Sequence, residues 1–450
     1  MKRIIDYFLA DWATRANRKA LLLRGARQVG KTYAVRTLAK RFTHFLEVNL
    51  ESDQSAQRIF EGTLDPEVMI TALSALYKTP IIPGKTLLFL DEAQAMPRAI
   101  IALRYFYEKM PTLHIIAAGS LLDFAIEEIG VPVGRVEFLY LYPVSFAEYL
   151  AAAGYGALLH LIAKNKPSSP LNEALHTKAM GLLGEYMVVG GMPEAVAQWL
   201  ETKDALGITA VHQSLLSAYL QDFSKYARRA QIKYVKEIFN ATPHQLGHKF
   251  KYAAIEGEFR KRELAPALDL LVTANIATKV FCANGNPFPL AAGIQPQDYK
   301  VLFLDCGLAQ TALGLDHAQW FIEPTREASY RGSLTEAFVG QELIAYASPT
   351  HKEPLYYWHK ETRLTAAEID YLIEIHGTTV PLEVKAGTGS TLRSLHTFLE
   401  MHPKSLYGIR FSSQNYSVFE RIYSYPLYAV AAIGCQRNAR LLEALAALTA

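Results

Sequence analysis

The clearest chemistry in this sequence lies in one run, Gly25-Ala26-Arg27-Gln28-Val29-Gly30-Lys31-Thr32, which has the form G-x-x-x-x-G-K-T. Glycines at its ends let backbone amides turn inward around phosphate oxygens, where a side chain would obstruct them. The run follows the apolar stretch ALLLR (20–24) and opens a helical pattern over 31–41. A helix that starts there turns its positive end toward an anion. Lys31 then reaches the β- and γ-phosphates and the Thr32 hydroxyl ligates Mg²⁺, with residues 25–30 and the adjoining Tyr33 as the cradle. The implied ligands are ATP and Mg²⁺.

Farther along, LLFLDEAQ runs four buried-type residues, Leu87–Leu90, into Asp91 and Glu92. In an open parallel sheet, ligands sit beyond the carboxyl ends of the strands. Asp91 is therefore placed for the Mg²⁺ shell and Glu92 for polarising the attacking water. A further apolar run, LHIIAAG, ends at Ser120, which serves either as a γ-phosphate sensor or as a helix N-cap. Arg135, after a glycine in VGRVEF, reads as an arginine finger or as a solvated surface arginine.

These residues need a scaffold, and the pattern supplies one. Over 1–150, apolar runs at 20–24, 45–50, 86–90 and 113–119 alternate with helical stretches at 31–41, 65–77 and 97–109. Continuous apolar strands separated by helices predict a parallel sheet covered on both faces. Helical patterning continues from about 151 to 205 and through 206–290. A Pro/Gly-rich segment, NGNPFPLAAGIQPQ (284–297), reads as a linker to an α/β domain over 298–450. The composition suits such a chain. Of 450 residues half are hydrophobic and a fifth charged, which excludes fibrous and disordered classes. The net charge of +3 is too small to name a partner, so charge has meaning only locally. Three scattered cysteines and no histidine cluster give no disulfide framework or zinc pattern, and fit a reducing cytoplasm. No apolar run approaches the ~18 residues of a membrane span.

Two local features point beyond the nucleotide. Between Ser224 and Arg262 stand ten Lys/Arg against three acids, a local +7, interleaved with Tyr226, Tyr234, Phe250, Tyr252 and Phe259. Such a patch suits a nucleic-acid backbone, DNA or RNA; it equally suits a solvated helical face. Near the carboxyl end, EIDYLIEI (368–375) and VPLEVK (380–385) predict an antiparallel hairpin. A turn centred between Gly377 and Thr378 would set Asp370 opposite Lys385 and Leu372 opposite Glu383. Asp370, Glu383 and Lys385 would then share one face, the D…E-x-K arrangement of metal-dependent nucleases. Ile369 stands where that motif usually has proline.

The runs GARQVGKT, LLFLDEAQ, AAGSLLDF and GRVEFLYLYPVSFAEYL resemble the AAA-superfamily P-loop ATPases of bacteria and archaea. The match is nearest to members that carry a carboxyl-terminal domain of unknown function. YMVVGGMPEAV, YKVLFLDCGLAQ, SLTEAFVGQEL and EIDYLIEIHGTTVPLEVKAG match the same family, so the resemblance spans nearly the whole chain. It implies an α/β architecture with an AAA-like core (1–150), a helical lid (151–205), a basic winged-helix segment (206–290) and a restriction-endonuclease-like domain (298–450). It also implies Lys31, Glu92 and Arg135 in catalysis, Thr32 and Asp91 at the metal, and Glu336 as an added nuclease-type carboxylate. The expected function is ATP hydrolysis acting on nucleic acid. The alternative is a nucleotide-driven switch or scaffold that binds a protein partner without cutting; an oligomer is compatible with either.

Overall fold

The computed structural model describes residues 1–450 other than 131–133, 287–288, 316–317, 362–365, 386–391 and 450. Five strands near the amino end, β1 (Ala20–Arg24), β2 (His44–Asn49), β3 (Thr86–Asp91), β4 (His114–Ala118) and β5 (Val136–Tyr140), form one sheet. Its order is β2-β3-β4-β1-β5, and every pairing is parallel, as the apolar runs predict. Alternation divides its side chains. Leu21, Leu23, Phe89 and Ile116 enter one core, and Leu22, Leu88, Leu90 and Ile115 a second on the other face. With helices on both faces, this arrangement fits a P-loop AAA-like fold.

A second sheet has eight strands: β6 (Ala277–Ala283), β7 (Ile294–Phe303), β8 (Leu355–Glu361), β9 (Ala366–Ile375), β10 (Thr378–Lys385), β11 (Gly408–Ser412), β12 (Ser417–Phe419) and β13 (Ile422–Pro426). Their order is β12-β13-β11-β10-β9-β8-β6-β7. The segment 284–297 is therefore not a linker. It joins β6 and β7 as an antiparallel pair, and the sheet draws strands from both sides of it. Among its described residues Gly285 (φ +71°), Pro289 and Gly293 lie in the connection and Pro296 in β7 itself, uses of Pro and Gly that composition does not distinguish from an interdomain break.

Helices Glu173–Val189, Pro193–Thr202 and Ala205–Tyr226 lie between the two sheets in sequence. Leu23 of β1, Val189, Tyr219, Val301 of β7 and Tyr371 of β9 belong to one buried cluster, so the core is continuous between the sheets. Backbone contacts cross there too. Tyr140 N–H donates to Pro349 O at 2.8 Å, and Phe146 N–H to the buried Glu342 Oε1 at 3.0 Å. Among the described residues no helix is long and apolar enough to cross a membrane.

Candidate nucleotide site and the carboxylate cluster

The glycine-rich run turns sharply at the carboxyl end of β1. Gly25 has φ +144°, and a Cβ there would lie 2.1 Å from Leu141 O. Gln28 (φ +62°) and Gly30 (φ +98°) are left-handed as well, and helix Lys31–Ala39 begins directly after. Lys31 is buried, and its Nζ donates to the carbonyls of Gly25 (2.9 Å) and Ala26 (2.7 Å). The ammonium thus closes the cradle on itself. Burial lowers its pKa to about 8, against the opposing pull of Glu92 and Asp91.

Thr32 Oγ1 donates to Asp91 Oδ2 at 2.9 Å, which brings together the two residues assigned to the metal. Burial raises the Asp91 pKa despite that bond. Glu92 leaves the strand at φ +48° and accepts from Gln94 Nε2 at 2.6 Å. Ser120 lies beside it, its N–H 3.4 Å and its Oγ 3.5 Å from Glu92 Oε2. Lys31, Thr32, Asp91, Glu92 and Ser120 therefore gather beyond the carboxyl ends of the interior strands β1, β3 and β4. Tyr33 is exposed.

Arg135 does not join them. It precedes β5, whose first residue, Val136, pairs with Ala20 at the start of β1. The phosphate loop leaves the opposite end of β1, so a five-residue strand, ~16 Å at ~3.3 Å per residue, separates the two. Arg135 instead pairs with Glu108 at 2.9 Å on the surface. The finger assignment is thus corrected for the chain's own site; strand direction, which a glycine-arginine pair does not reveal, decides it.

The loop is braced by residues that its motif does not contain. Buried Arg3 donates to Val29 O (3.1 Å) and Tyr142 O (2.8 Å), and it pairs with Glu148 (2.9 Å). Arg27 forms an ion pair with Asp222, and Tyr219 Oη donates to Arg27 O at 2.7 Å. Both partners come from helix Ala205–Tyr226. The segment GGMPE (190–194) lies at the same place, since a Cβ on Gly30 would sit 3.7 Å from Pro193 Cγ. Asp305 holds this segment from the other side. Its buried carboxylate accepts from Gly191 N (2.6 Å) and Leu308 N (2.9 Å), and a Cβ at Gly190 would lie 2.2 Å from its Oδ1. Two marker segments without an obvious chemistry, GGMPE and FLDCGLAQ, are in physical contact.

In the basic segment all ten Lys/Arg side chains are exposed. The aromatics are less open: four of the five are half-buried, with Lys233 over the Tyr234 ring at 4.6 Å and Lys261 over the Tyr252 ring at 5.9 Å. Phe250 is buried, and Tyr226, Tyr234, Tyr252 and Phe259 pack against the main core. Helices Ile232–Ala241 and Lys261–Thr273 pack together ahead of the β6–β7 pair, and Lys249 bridges Lys300 of β7.

The β9–β10 hairpin forms in a different register from that expected. His376 (φ +49°) and Gly377 (φ +74°) make a two-residue turn, with Ile375 opposite Thr378 and Leu372 opposite Pro381. The shift is by two residues, so it moves Asp370 from Lys385 toward Glu383 along the hairpin but keeps the expected shared face: Asp370 acts electrostatically on both Glu383 and Lys385. An irregularity against β8, where Tyr356 pairs with Leu372 and Trp358 with Ile369, leaves Asp370 and Tyr371 together opposite Tyr357. Asp370 Oδ2 accepts from Val384 N at 2.7 Å. Glu383 pairs with Lys385 at 3.1 Å, and among the described residues its buried Oε2 has no partner within hydrogen-bond geometry. Glu336, on helix Gly332–Ala345, bonds Lys300 of β7 at 2.8 Å. Lys300 also meets Glu368 (2.5 Å) and Asp370 (3.8 Å). Nothing in the sequence spacing marked Lys300 as part of this cluster.

Beside it, Cys282, Asp298 and His359 bring ligand-type atoms within 4.8 Å of one another. Asp298 is already engaged by Lys249, by the Tyr357 hydroxyl and by His359 Nε2 at 3.0 Å. Burial pushes the Cys282 thiol up to about 11, so it stays protonated in this network.

Three family profiles match the chain. Residues 17–150 match an AAA domain, 180–319 a domain of unknown function (DUF8612) and 331–430 another (DUF4143). Among solved structures the chain is similar to the Walker-type ATPase of Pyrococcus abyssi, at 17% identity over 68% of this chain and 95% of that one, TM-score 0.42. It is also similar to Drosophila ORC bound to DNA, at 13% identity over 69% and 94%, TM-score 0.26. A third is the signal-transduction ATPase with a tetratricopeptide repeat sensor from Pyrococcus horikoshii, at 10% identity over 74% and 47%, TM-score 0.26. No curated protein matches the chain. The stretch that matches the AAA domain, residues 17–150, contains the phosphate loop, Asp91, Glu92 and Ser120.

Proposed function

We propose that this protein is a Mg²⁺-dependent ATPase whose nucleotide state is relayed to a nucleic-acid-binding surface on the basic segment. The observation that carries the reading is the Thr32–Asp91 contact at 2.9 Å, with Glu92 adjacent, beside a buried lysine at the head of the loop. Thr32 and Asp91 would hold the metal, whose charge draws electron density from the β- and γ-phosphates. Lys31 would exchange its two carbonyl partners for phosphate oxygens. Glu92 would orient the attacking water, with Ser120 alongside.

The relay rests on helix Ala205–Tyr226. It grips Arg27 of the loop through Tyr219 and Asp222, then ends as the basic segment begins. We read that segment as a winged helix, because helix Ile232–Ala241, the Lys249–Lys300 bridge, helix Lys261–Thr273 and the β6–β7 pair follow in that order. Arg260, Lys261 and Arg262 stand at the start of its second helix, the end that enters a groove in such modules. With all ten basic side chains exposed and the aromatics buried, half-buried or covered by Lys233 and Lys261, recognition would rest on backbone charge more than on base stacking. The carboxyl-terminal sheet we take as an endonuclease-like scaffold. The switch reading, in which it binds without cutting, is favoured by the lysine set among its carboxylates.

Turnover measured with and without duplex DNA, single-stranded DNA and RNA tests the proposal. Lys31→Ala should abolish hydrolysis and weaken ATP binding, and Glu92→Gln should keep ATP while losing hydrolysis. Turnover at the wild-type rate in Glu92→Gln would overturn the site. Turnover and ATP affinity untouched by any nucleic acid would leave the ATPase and remove its nucleic-acid partner.

A further inference from the structure

The carboxylates of the carboxyl-terminal sheet suggest a metal cage by residue type alone: Glu336, Glu368, Asp370 and Glu383. The structure places a cation of the chain's own among them. Lys300 is 3% exposed, and its Nζ lies 2.8 Å from Glu336, 2.5 Å from Glu368 and 3.8 Å from Asp370. The face of Tyr357, 5.2 Å away, covers it from another side. A buried ammonium is costly unless carboxylates and hydrogen bonds surround it, and here both do. Burial alone would lower its pKa, but Glu336, Asp370 and Glu368 outweigh burial and raise it, so Lys300 stays charged.

We propose that Lys300 serves as a built-in substitute for a divalent cation. Glu336, Glu368 and Asp370 converge on its ammonium, and the wild-type cluster therefore takes no Mg²⁺ or Mn²⁺. Three observations support this. Asp370 divides its oxygens between Val384 N at 2.7 Å and the Lys300 ammonium at 3.8 Å, so an ion shared with Glu383 would compete with Lys300 for this carboxylate. Glu383 pairs separately with Lys385. Lys300 is fixed by its backbone as well as by its charge, because β7 pairs Lys300 with Val280 and bridges it to Lys249. The buried Oε2 of Glu383 accepts no hydrogen bond among the described residues, but Mg²⁺ and Mn²⁺ need several oxygen ligands in octahedral array, and the ammonium of Lys300 already stands where Glu336, Glu368 and Asp370 would supply them. The ammonium has a structural consequence too. It ties helix Gly332–Ala345 to β7 and β9 at all times, where a dissociable metal would tie them only when loaded.

This inference is independent of the ATPase reading, and its test keeps the two apart. The nucleotide-free, full-length protein is titrated with MnCl₂, and bound Mn²⁺ is counted by the loss of the free-ion electron paramagnetic resonance signal. Wild type and Asp370→Asn should give the same count. Lys300→Met, close in length but uncharged, should gain one Mn²⁺ that Lys300→Met/Asp370→Asn lacks. Mn²⁺ should raise the melting temperature of Lys300→Met and leave that of wild type unchanged. ATP turnover should persist in Lys300→Met. A Mn²⁺ bound by wild type and lost in Asp370→Asn would overturn the proposal. So would a folded Lys300→Met that gains no ion. Should Lys300→Met fold only with Mn²⁺ present and unfold on chelation, that result supports the substitution directly. If it folds under neither condition, the wild-type and Asp370→Asn counts decide alone.

Discussion

Asp305 offers the sharpest test of how this molecule is held together. Its fully buried carboxylate accepts from Gly191 N at 2.6 Å and Leu308 N at 2.9 Å, and the Gly307 amide adds a third bond. Asp305→Ala orphans these donors. Each buried unpaired N–H costs about 1–3 kcal/mol, and the loss at Leu308 N is that of the N-cap of helix Cys306–Ala312. Against this stands the relief of a buried carboxylate, visible in the rise that burial imposes on its pKa. The net loss should be about 3 kcal/mol, read from the midpoint shift in urea unfolding. A second substitution separates this account from generic damage. A Cβ at Gly190 would meet Asp305 Oδ1 at 2.2 Å, so Gly190→Ala in wild type should be severely destabilising. In the Asp305→Ala background that collision is absent, leaving the backbone strain, about 1–3 kcal/mol, that a non-glycine residue meets at φ +68°, ψ −169°. The two changes should therefore be strongly non-additive, by more than about 1 kcal/mol. Additive losses, or a cost below about 1 kcal/mol for Asp305→Ala, would refute the clamp.

Two further outcomes follow from the loop and from the basic surface. With Lys31 near pKa 8 before phosphate arrives and higher afterwards, ATP binding should take up protons above about pH 8 and none below about pH 7. Affinity should thus fall as pH rises through 8, by up to about tenfold per pH unit, and calorimetry in buffers of different ionisation enthalpy reads the uptake directly. Proton release, or an affinity flat to about pH 9.5, would contradict the buried lysine. For the basic segment, duplex binding should weaken with salt at a log–log slope of about −0.9 per phosphate contacted. Reversing Arg228, Arg229 and Lys233 to Glu should flatten it, and an unchanged slope would move the contact elsewhere.

What was legible in the sequence was what is contiguous. The phosphate loop and the Asp91–Glu92 pair each lie at the end of a strand, so one local pattern specified the element and the side chain together. Arg135 was misplaced because a strand's direction relative to its neighbours is a tertiary fact. The hairpin was legible as a hairpin, but its register depended on whether the turn began at His376 or Gly377, and only the left-handed conformation of both residues decides that. Lys300 was invisible for a stronger reason. It reaches Glu336, Glu368 and Asp370 from a strand that precedes all three, and no spacing rule links them. Arg3, Asp222 and Asp305 brace the nucleotide side from comparable separations.

The β6–β7 pair has a mechanical meaning. A hairpin that ends the basic segment and also forms the edge of the eight-stranded sheet leaves no joint between them. The basic face cannot swivel by itself; turning it means turning the entire sheet as one lever. Because the core is also continuous between the two sheets, such a turn would have to break contacts that cross it, the bond from Phe146 N–H to buried Glu342 among them.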